Sequence, residues 1–309
     1  MPEWTVRAAC AADAEALAPL VSAAYLGQWI TTPEQLVARM DAAGPNHFVL
    51  VAEAEGAVQA GVLASGFPTA PAAVRLQWCG VPSASTPLYL AALSWVATSA
   101  PDVRQLISVV REDHADQVAF LTAAGFRNAH QSWGAHLALP DLDLTRYDAL
   151  EERLYLAGYE TERLAWPAPA ADLASLYRLW EQGVQDAPRN PTTTPDPLSP
   201  ETFRSQLQQE VVFLVRWKGQ PVASTRLTPT GDSVDTEHTV VDRAHRGRGL
   251  ATVVKAASLG WARAEGYTRA STGGSVANLP MLRVNQRLGY RPEPMWLTWV
   301  RPLDMTEQG

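Results

Sequence analysis

Residues 233–272 read SVDTEHTVVDRAHRGRGLATVVKAASLGWARAEGYTRAST, and this stretch decides how the rest of the chain is read. From Ser233 to about Val241, polar and β-branched residues alternate as in a half-buried strand. From Leu250 to Glu265 the apolar residues Leu250, Val253, Val254, Ala257, Trp261 and Ala264 fall on one helical face, and Gly266 supplies the stop. Residues 267–272 then form the next strand. The unit is therefore strand, glycine-rich loop, helix, strand, with RGRGLA (246–251) at the helix N-terminus. The first amides of a helix have no intrahelical partner, and Gly247 and Gly249 remove side-chain bulk in front of them. Such a concave set of donors suits a pyrophosphate, and Arg246 and Arg248 add positive charge. A bare G-x-G could equally serve only as a tight turn, so the surrounding sequence has to carry the assignment.

Working outward, three segments of the first half recur in order in the second, the mark of a duplicated domain. VRAACAADAEALAPLVSAAY near the start resembles TERLAWPAPAADLASLYRLW from Thr161, with Asp13 and Asp172 at equivalent helix starts. FVLVAEAEGAVQAG from Phe48 resembles VFLVRWKGQPVAS from Val212, each a hairpin turning at Gly56 or Gly219. FLTAAGFRNAHQSWGAHLAL from Phe120 resembles VNQRLGYRPEPMWLTWVRPL from Val284, a helix closed by glycine and followed by a Trp-bearing strand. Gly125 and Gly289 are 164 residues apart and Gly56 and Gly219 are 163 apart, so the offsets agree. Two domains follow, 1–145 and 146–309. The join, RYDALEERLYLAG, reads as a helix. The least regular stretch, from Asp186 to Phe203 with Pro188, Pro191, Pro195 and Pro197, lies inside the second domain and is expected to be a lid or substrate loop. Ser199 as N-cap, with Pro200 and Glu201 in the first turn, starts the next helix.

The spacing Arg246-x-x-Gly249-x-Ala251, with Val241 five residues before Arg246, resembles the pyrophosphate loop of the GNAT superfamily of acyl-CoA-dependent N-acetyltransferases. NLPMLRVNQRLGY (278–290) resembles that superfamily's following helix and its closing glycine-aromatic pair. The tandem layout resembles mycothiol synthase and related two-domain bacterial members. This resemblance implies an α/β (α+β) fold of two GNAT-like domains, each a mixed, mostly antiparallel sheet flanked by helices. It implies acetyl-CoA as co-substrate: the backbone of Thr239, Val240 and Val241 pairs with the pantetheine arm, Arg246, Gly247, Arg248, Gly249, Leu250 and Ala251 hold the pyrophosphate, and Asn278 lies near the pantetheine. The thioester enters where the strands 233–241 and 267–272 splay.

Amine acetylation needs a proton acceptor, because an amine with a pKa of about 10 is protonated at neutral pH. Asp235 and Glu237 precede the loop at positions where several members carry a base. Strict alternation would put both on the face of Thr239 and Val241, with His238 opposite and dispensable. We expect Glu237 to be the base and Asp235 to attract the cationic amine. Two departures from the family pattern stand out. Asn285 occupies the place of a tyrosine that in many members protonates the leaving thiolate. The segment CGVPSASTPLYLAALSW from Cys79, which aligns with the loop in the first half, lacks the arginine and the paired glycines and carries Pro87. The N-terminal domain is therefore expected to be a degenerate copy.

Composition narrows the alternatives. Net charge −7 and pI near 5.4 argue against a nucleic-acid partner and suit a basic small-molecule or peptide amine. The N-terminus lacks the pattern of a signal peptide and no run approaches 18 apolar residues, so no membrane partner and a cytoplasmic location are expected. Cys10 and Cys79 have no metal or disulfide spacing and are expected to be buried thiols. The six histidines show no ligand spacing, so no metal is expected. Gly273-Gly274-Ser275-Val276-Ala277 faintly suggests a hydrolase elbow, but no histidine follows Ser275 to complete a triad in that chain order. The remaining competitor is a catalytically inactive acyl-CoA-binding regulatory or structural protein. The sequence leaves the acceptor and the oligomeric state open.

Overall fold

The computed structural model describes residues 3–25, 30–42, 46–67, 70–188 and 198–303. Residues 189–197, the centre of the expected lid, lie outside the described residues. The chain forms two compact units, Met1–Gln131 with Trp296–Gly309, and Ser132–Met295.

The N-terminal unit runs β1 (Thr5–Ala8), α1 (Ala14–Ala24), α2 (Pro33–Met40), β2 (Phe48–Ala54), β3 (Ala57–Phe67), β4 (Ala70–Gly80), α3 (Ser85–Ser99), β5 (Gln105–Arg111) and α4 (Ala115–Ala123). After β6 (Arg127–Ala138) the chain continues through α5 (Asp148–Leu156), β7 (Tyr159–Arg163), α6 (Ala170–Asp186), α7 (Pro200–Leu207), β8 (Val211–Trp217), β9 (Gln220–Thr230), β10 (Ser233–Val241), α8 (Leu250–Ala264), β11 (Arg269–Ser275), α9 (Leu279–Leu288), β12 (Arg291–Pro292) and β13 (Trp296–Pro302). Within the first unit the strands are ordered β1-β2-β3-β4-β5-β13, and within the second β7-β8-β9-β10-β11-β6. Each is antiparallel except for one parallel pair, β4–β5 and β10–β11. The duplication read from sequence is thus a duplication of topology, with one refinement. Each Trp-bearing last strand belongs to the other copy's sheet: β13 pairs with β5, and residues 132–138 of β6 pair with β11.

Local chemistry accounts for the elements. Both hairpins turn through two left-handed residues, Glu55-Gly56 and Lys218-Gly219, the backbone twist that joins adjacent strands tightly. The Ser199 hydroxyl accepts from the Thr202 amide at 3.1 Å, capping α7 as the sequence suggests. In β8 the run VVFLV is apolar on both faces because both are covered. Val212 and Leu214 pack with Leu176, Leu179 and Trp180 of α6 and Phe203 of α7. Phe213 and Val215 pack with Leu250, Val253 and Val254 of α8.

Asp13 and Asp172, matched by sequence, do the same work. Each is buried in or just before the first turn of its helix and is forked by an arginine, Arg7 at 2.8 Å and Arg216 at 2.7 Å. Each arginine also holds a glutamate across the first strand pair, but the two are transposed. Arg7 lies on β1 with Glu53 on β2, whereas Glu162 lies on β7 with Arg216 on β8. The arginine in each triad holds its aspartate well below the usual carboxylate range. Cys79 is buried and its thiol is pushed up to about 12 by burial, whereas Cys10, expected to be buried, is exposed.

Candidate active site

In the C-terminal unit β10 pairs with β9 as far as Val241↔Ala223, but with β11 only from Ser233↔Arg269 to Thr236↔Thr272. Beyond Thr236 the parallel strands part, and β11 continues against β6 to Ser275↔Ser132. Among the described residues, the edge of residues 237–241 that faces away from β9 has no ladder partner there. An extended ligand can add to it as a strand would, and Thr239, Val240 and Val241 lie along this edge.

The register against β9 slips between Thr236 and His238, making Glu237 the extra residue of a β-bulge. A bulge bends and twists its strand, which accounts for the parting of β10 from β11 at this point. It also breaks the alternation assumed from sequence. Residues opposite each other in a ladder share a face. Asp235 opposes Thr228 and His238 opposes Arg226, so Asp235 and His238 share one face; Thr239 and Val241, opposite Thr225 and Ala223, share the other. The expectation that Asp235 lies with Thr239 and Val241, and that His238 lies opposite it, is therefore corrected. His238 sits beneath Gly183 of α6, where even a methyl group would come within 2.8 Å of its ring. Burial lowers its pKa to about 4, leaving a neutral imidazole.

The α6 and α7 side of the bulge holds a charge cluster that the sequence reading missed. Arg226 is buried on β9 and its Nη1 lies 3.2 Å from Glu210, just ahead of β8. Burial raises the pKa of Glu210, outweighing the attraction of Arg226, and the negative charge of Glu237 adds to the rise. Glu237 keeps an exposed edge, yet the protein around it, followed by the charge of Asp235, raises its pKa as well. Asp235 accepts a hydrogen bond from the Thr230 hydroxyl at 3.2 Å. Glu210 and Arg226 reach this cluster through sheet register, so no local motif signals them.

At the loop, Gly247 (φ 74°) and Gly249 (φ 97°) adopt the left-handed conformation that glycine allows. Gly249 is also packed, since a Cβ there would lie 3.0 Å from Leu150. Thr252 and Val253 donate to the Gly249 carbonyl at 3.0 and 3.1 Å. The amides of Leu250 and Ala251 precede the first full helical bond and form the donor set expected of an anion site. Arg246 is engaged otherwise than expected: its Nε donates to the Val241 carbonyl at 3.0 Å and its Nη2 to Asp186 at 2.5 Å. It ties the loop to α6, while Arg248 is exposed at the loop's tip.

Asn278 caps α9, accepting from the Met281 amide at 3.4 Å. Asn285, in the tyrosine position, is only 1% exposed, and neither atom of its amide has a hydrogen-bond partner among the described residues. Tyr290 is buried in the core, its hydroxyl 3.3 Å from Thr236 Oγ1 at the apex of the fork. Lys255 of α8 is also 1% exposed, with its Nζ 5.4 Å from the Tyr290 ring centre. The buried surface of α8 is wider than the predicted stripe: Lys255, Ala256, Leu259 and Ala262 are buried, whereas Ala257 and Trp261 are only partly so and Ala264 is exposed. Gly274 and Ser275 end β11 rather than forming an elbow, and Gly274 lies close under the Trp133 ring.

Residues 175–290 match the model of the acetyltransferase (GNAT) family. No curated protein matches the chain in sequence. Among solved structures, a GCN5-related N-acetyltransferase from Sphaerobacter thermophilus superposes with a TM-score of 0.70 at 14% identity, covering 97% of this chain and 95% of that one. A tandem GNAT protein from the clavulanic acid biosynthesis pathway gives a TM-score of 0.65 at 19% identity, over 97% and 98% of the two chains. A glucosamine N-acetyltransferase region of a fungal multi-domain GH3 β-N-acetylglucosaminidase gives 0.68 at 14% identity, over 97% of this chain and 38% of that one. At these identities the likeness is one of fold.

Proposed function

We propose that the chain is a GNAT-superfamily protein with two GNAT-like domains, a reading supported by the family match over residues 175–290 and by the likeness of fold to a tandem GNAT protein, and that it transfers an acetyl group from acetyl-CoA to the amine of a small molecule or peptide, in its C-terminal domain. The observation that carries this reading is the fork between β10 and β11, opened by the bulge at Glu237 and continued by the amide-rich start of α8. The edge of Thr239 to Val241 would hold the pantetheine, and the amides of residues 247–251 with Arg248 the pyrophosphate; Arg246 would hold the loop in place.

The acceptor approaches from the side of α6 and α7, where Glu210, Asp235 and Glu237 place carboxylates near one buried arginine. An excess of negative charge favours a cationic amine. Glu237, its pKa raised by burial and by Asp235, takes the proton from the ammonium directly or through water. The free amine attacks the thioester carbonyl, the C–S bond breaks, and solvent or the nascent ammonium protonates the leaving thiolate, since Asn285 has no acidic proton to give.

The test measures CoA thiol release across a panel of amines, beside calorimetric titration of protein stripped of bound CoA. One acetyl-CoA per chain is expected, with turnover on at least one amine. Glu237→Gln should lower turnover by at least about tenfold, with acetyl-CoA affinity nearly unchanged and activity recovering at high pH where free amine is plentiful. Full activity of Glu237→Gln across pH would remove it as the base. Tight binding without thiol release from any amine would favour the acyl-CoA-binding regulatory protein instead.

A further inference from the structure

The N-terminal unit contains a fork of its own. Parallel pairing of β4 with β5 covers only Ala73–Arg75 against Gln105–Ile107. Beyond it opens a cleft of about 470 Å³, within the size range of small-molecule sites. It is lined by the aromatic Trp78 and Trp296, by the half-buried Tyr25 and Gln77, and by the exposed carboxylates Asp113 and Asp116. This cleft is not built for a nucleotide. The chain leaving β4 enters a short 3-10 turn at Pro82 instead of a glycine loop, Pro87 removes an amide from the first turn of α3, and two carboxylates, Asp113 and Asp116, line the cleft.

The lining is not uniform in charge. Beside Tyr25 and Gln77, Arg39 Nη1 donates to Gln77 Oε1 at 3.1 Å, which leaves the Gln77 amide nitrogen as a donor in the cleft lining. Arg75 Nη2 donates to the Tyr25 hydroxyl at 2.9 Å, and its Nε is buried without a partner. Neither guanidinium has a carboxylate within ion-pair distance among the described residues. Two adjacent, half-buried cations bonded only to neutral groups leave that part of the lining short of negative charge. Of the exposed carboxylates, Asp113 is answered by Arg111 at 2.5 Å, and Asp116 stands in the first turn of α4. From Gln77 to the end of β4 at Gly80 is roughly 10 Å at strand spacing, the span of an extended chain of about three residues.

We propose that this N-terminal cleft binds a short zwitterionic peptide, its carboxylate at Gln77 and Tyr25 backed by Arg39 and Arg75, its ammonium at Asp116, and an apolar side chain between Trp78 and Trp296. The inference does not depend on acetyl transfer in the C-terminal domain. Calorimetric titration of the full chain with the tripeptide Ala-Phe-Ala should show one binding event that CoA does not compete for. Amidating the peptide's C-terminus or acetylating its N-terminus should each weaken binding by about tenfold or more. Ala23→Trp, a substitution at an exposed residue of the cleft wall, should abolish binding, whereas Glu237→Gln should leave it intact. Arg39→Gln should erase the preference for the free acid over the amide without changing affinity for the amide, which loss of structure alone would not do. The proposal is overturned if the tripeptide fails to bind at millimolar concentration, if binding survives Ala23→Trp, or if acid and amide bind equally to the unaltered protein.

Discussion

Replacing Lys255 by methionine should stabilise the protein, by an amount that depends on pH. Lys255 lies inside the C-terminal unit, 1% exposed and beside the Tyr290 ring, and burial lowers its pKa to about 7. In the unfolded chain the same amine titrates near 10.4. Between these values the unfolded state binds more protons, so the stability that the neutral amine permits is present above the unfolded pKa and is lost as pH falls toward 7. Integrated from pH 9.5 to pH 7, one such group costs about 3 kcal/mol, a large share of the 5–15 kcal/mol typical of a domain. Methionine has a similar length, no charge, and a sulfur that packs well against an aromatic ring. Urea unfolding of both proteins at pH 7 and pH 9.5 isolates the effect, because every other titrating group is shared. The advantage of Lys255→Met should be largest at pH 7 and should shrink by about 3 kcal/mol at pH 9.5. A pH-independent difference, or a variant less stable at pH 7, would refute the view that Lys255 is a buried amine with no counter-charge among the described residues.

Gly249→Val combines a left-handed backbone with a contact at 3.0 Å to Leu150, and should weaken acetyl-CoA binding by at least about tenfold in calorimetry. Gly247→Ala, with open space around the new methyl, should cost only about 1 kcal/mol of stability. Asp172→Ala removes the buried partner of Arg216 and should destabilise the protein by about 3 kcal/mol in urea unfolding. The matching Asp13→Ala should cost less, because Arg7 is more exposed and can be hydrated when unpaired. Burial depresses the pKa of His238 to about 4 against about 6.5 unfolded, so its stabilising contribution is complete above pH 6.5 and is lost as pH falls toward 4. A His238→Gln variant should lose that part of the acid slope.

The sequence by itself determined the features that depend on neighbours along the chain. The left-handed glycines of the loop and hairpins, the Ser199 cap and the start of α8 each follow from backbone sterics or a hydrogen bond within a few residues. The duplication was legible for the same reason, since glycine turns and helix starts keep their spacing when the rest of the sequence drifts. What only the tertiary structure decided depends on which strand lies beside which, and in what register. One extra residue at Glu237 turns the strand over, so Asp235 and His238 share a face that alternation assigns to opposite sides. Arg226 and Glu210 join Glu237 through register across β8, β9 and β10, and Asp186 captures Arg246 across 60 residues of chain. The exchange of β6 and β13 between sheets is likewise invisible to local pattern, because each strand offers the same alternating residues and hydrogen-bonding edge to either neighbour. Lys255 is the sharpest case: a lysine in a helix reads as solvent-exposed until packing within the C-terminal unit, beside Tyr290, leaves it 1% exposed.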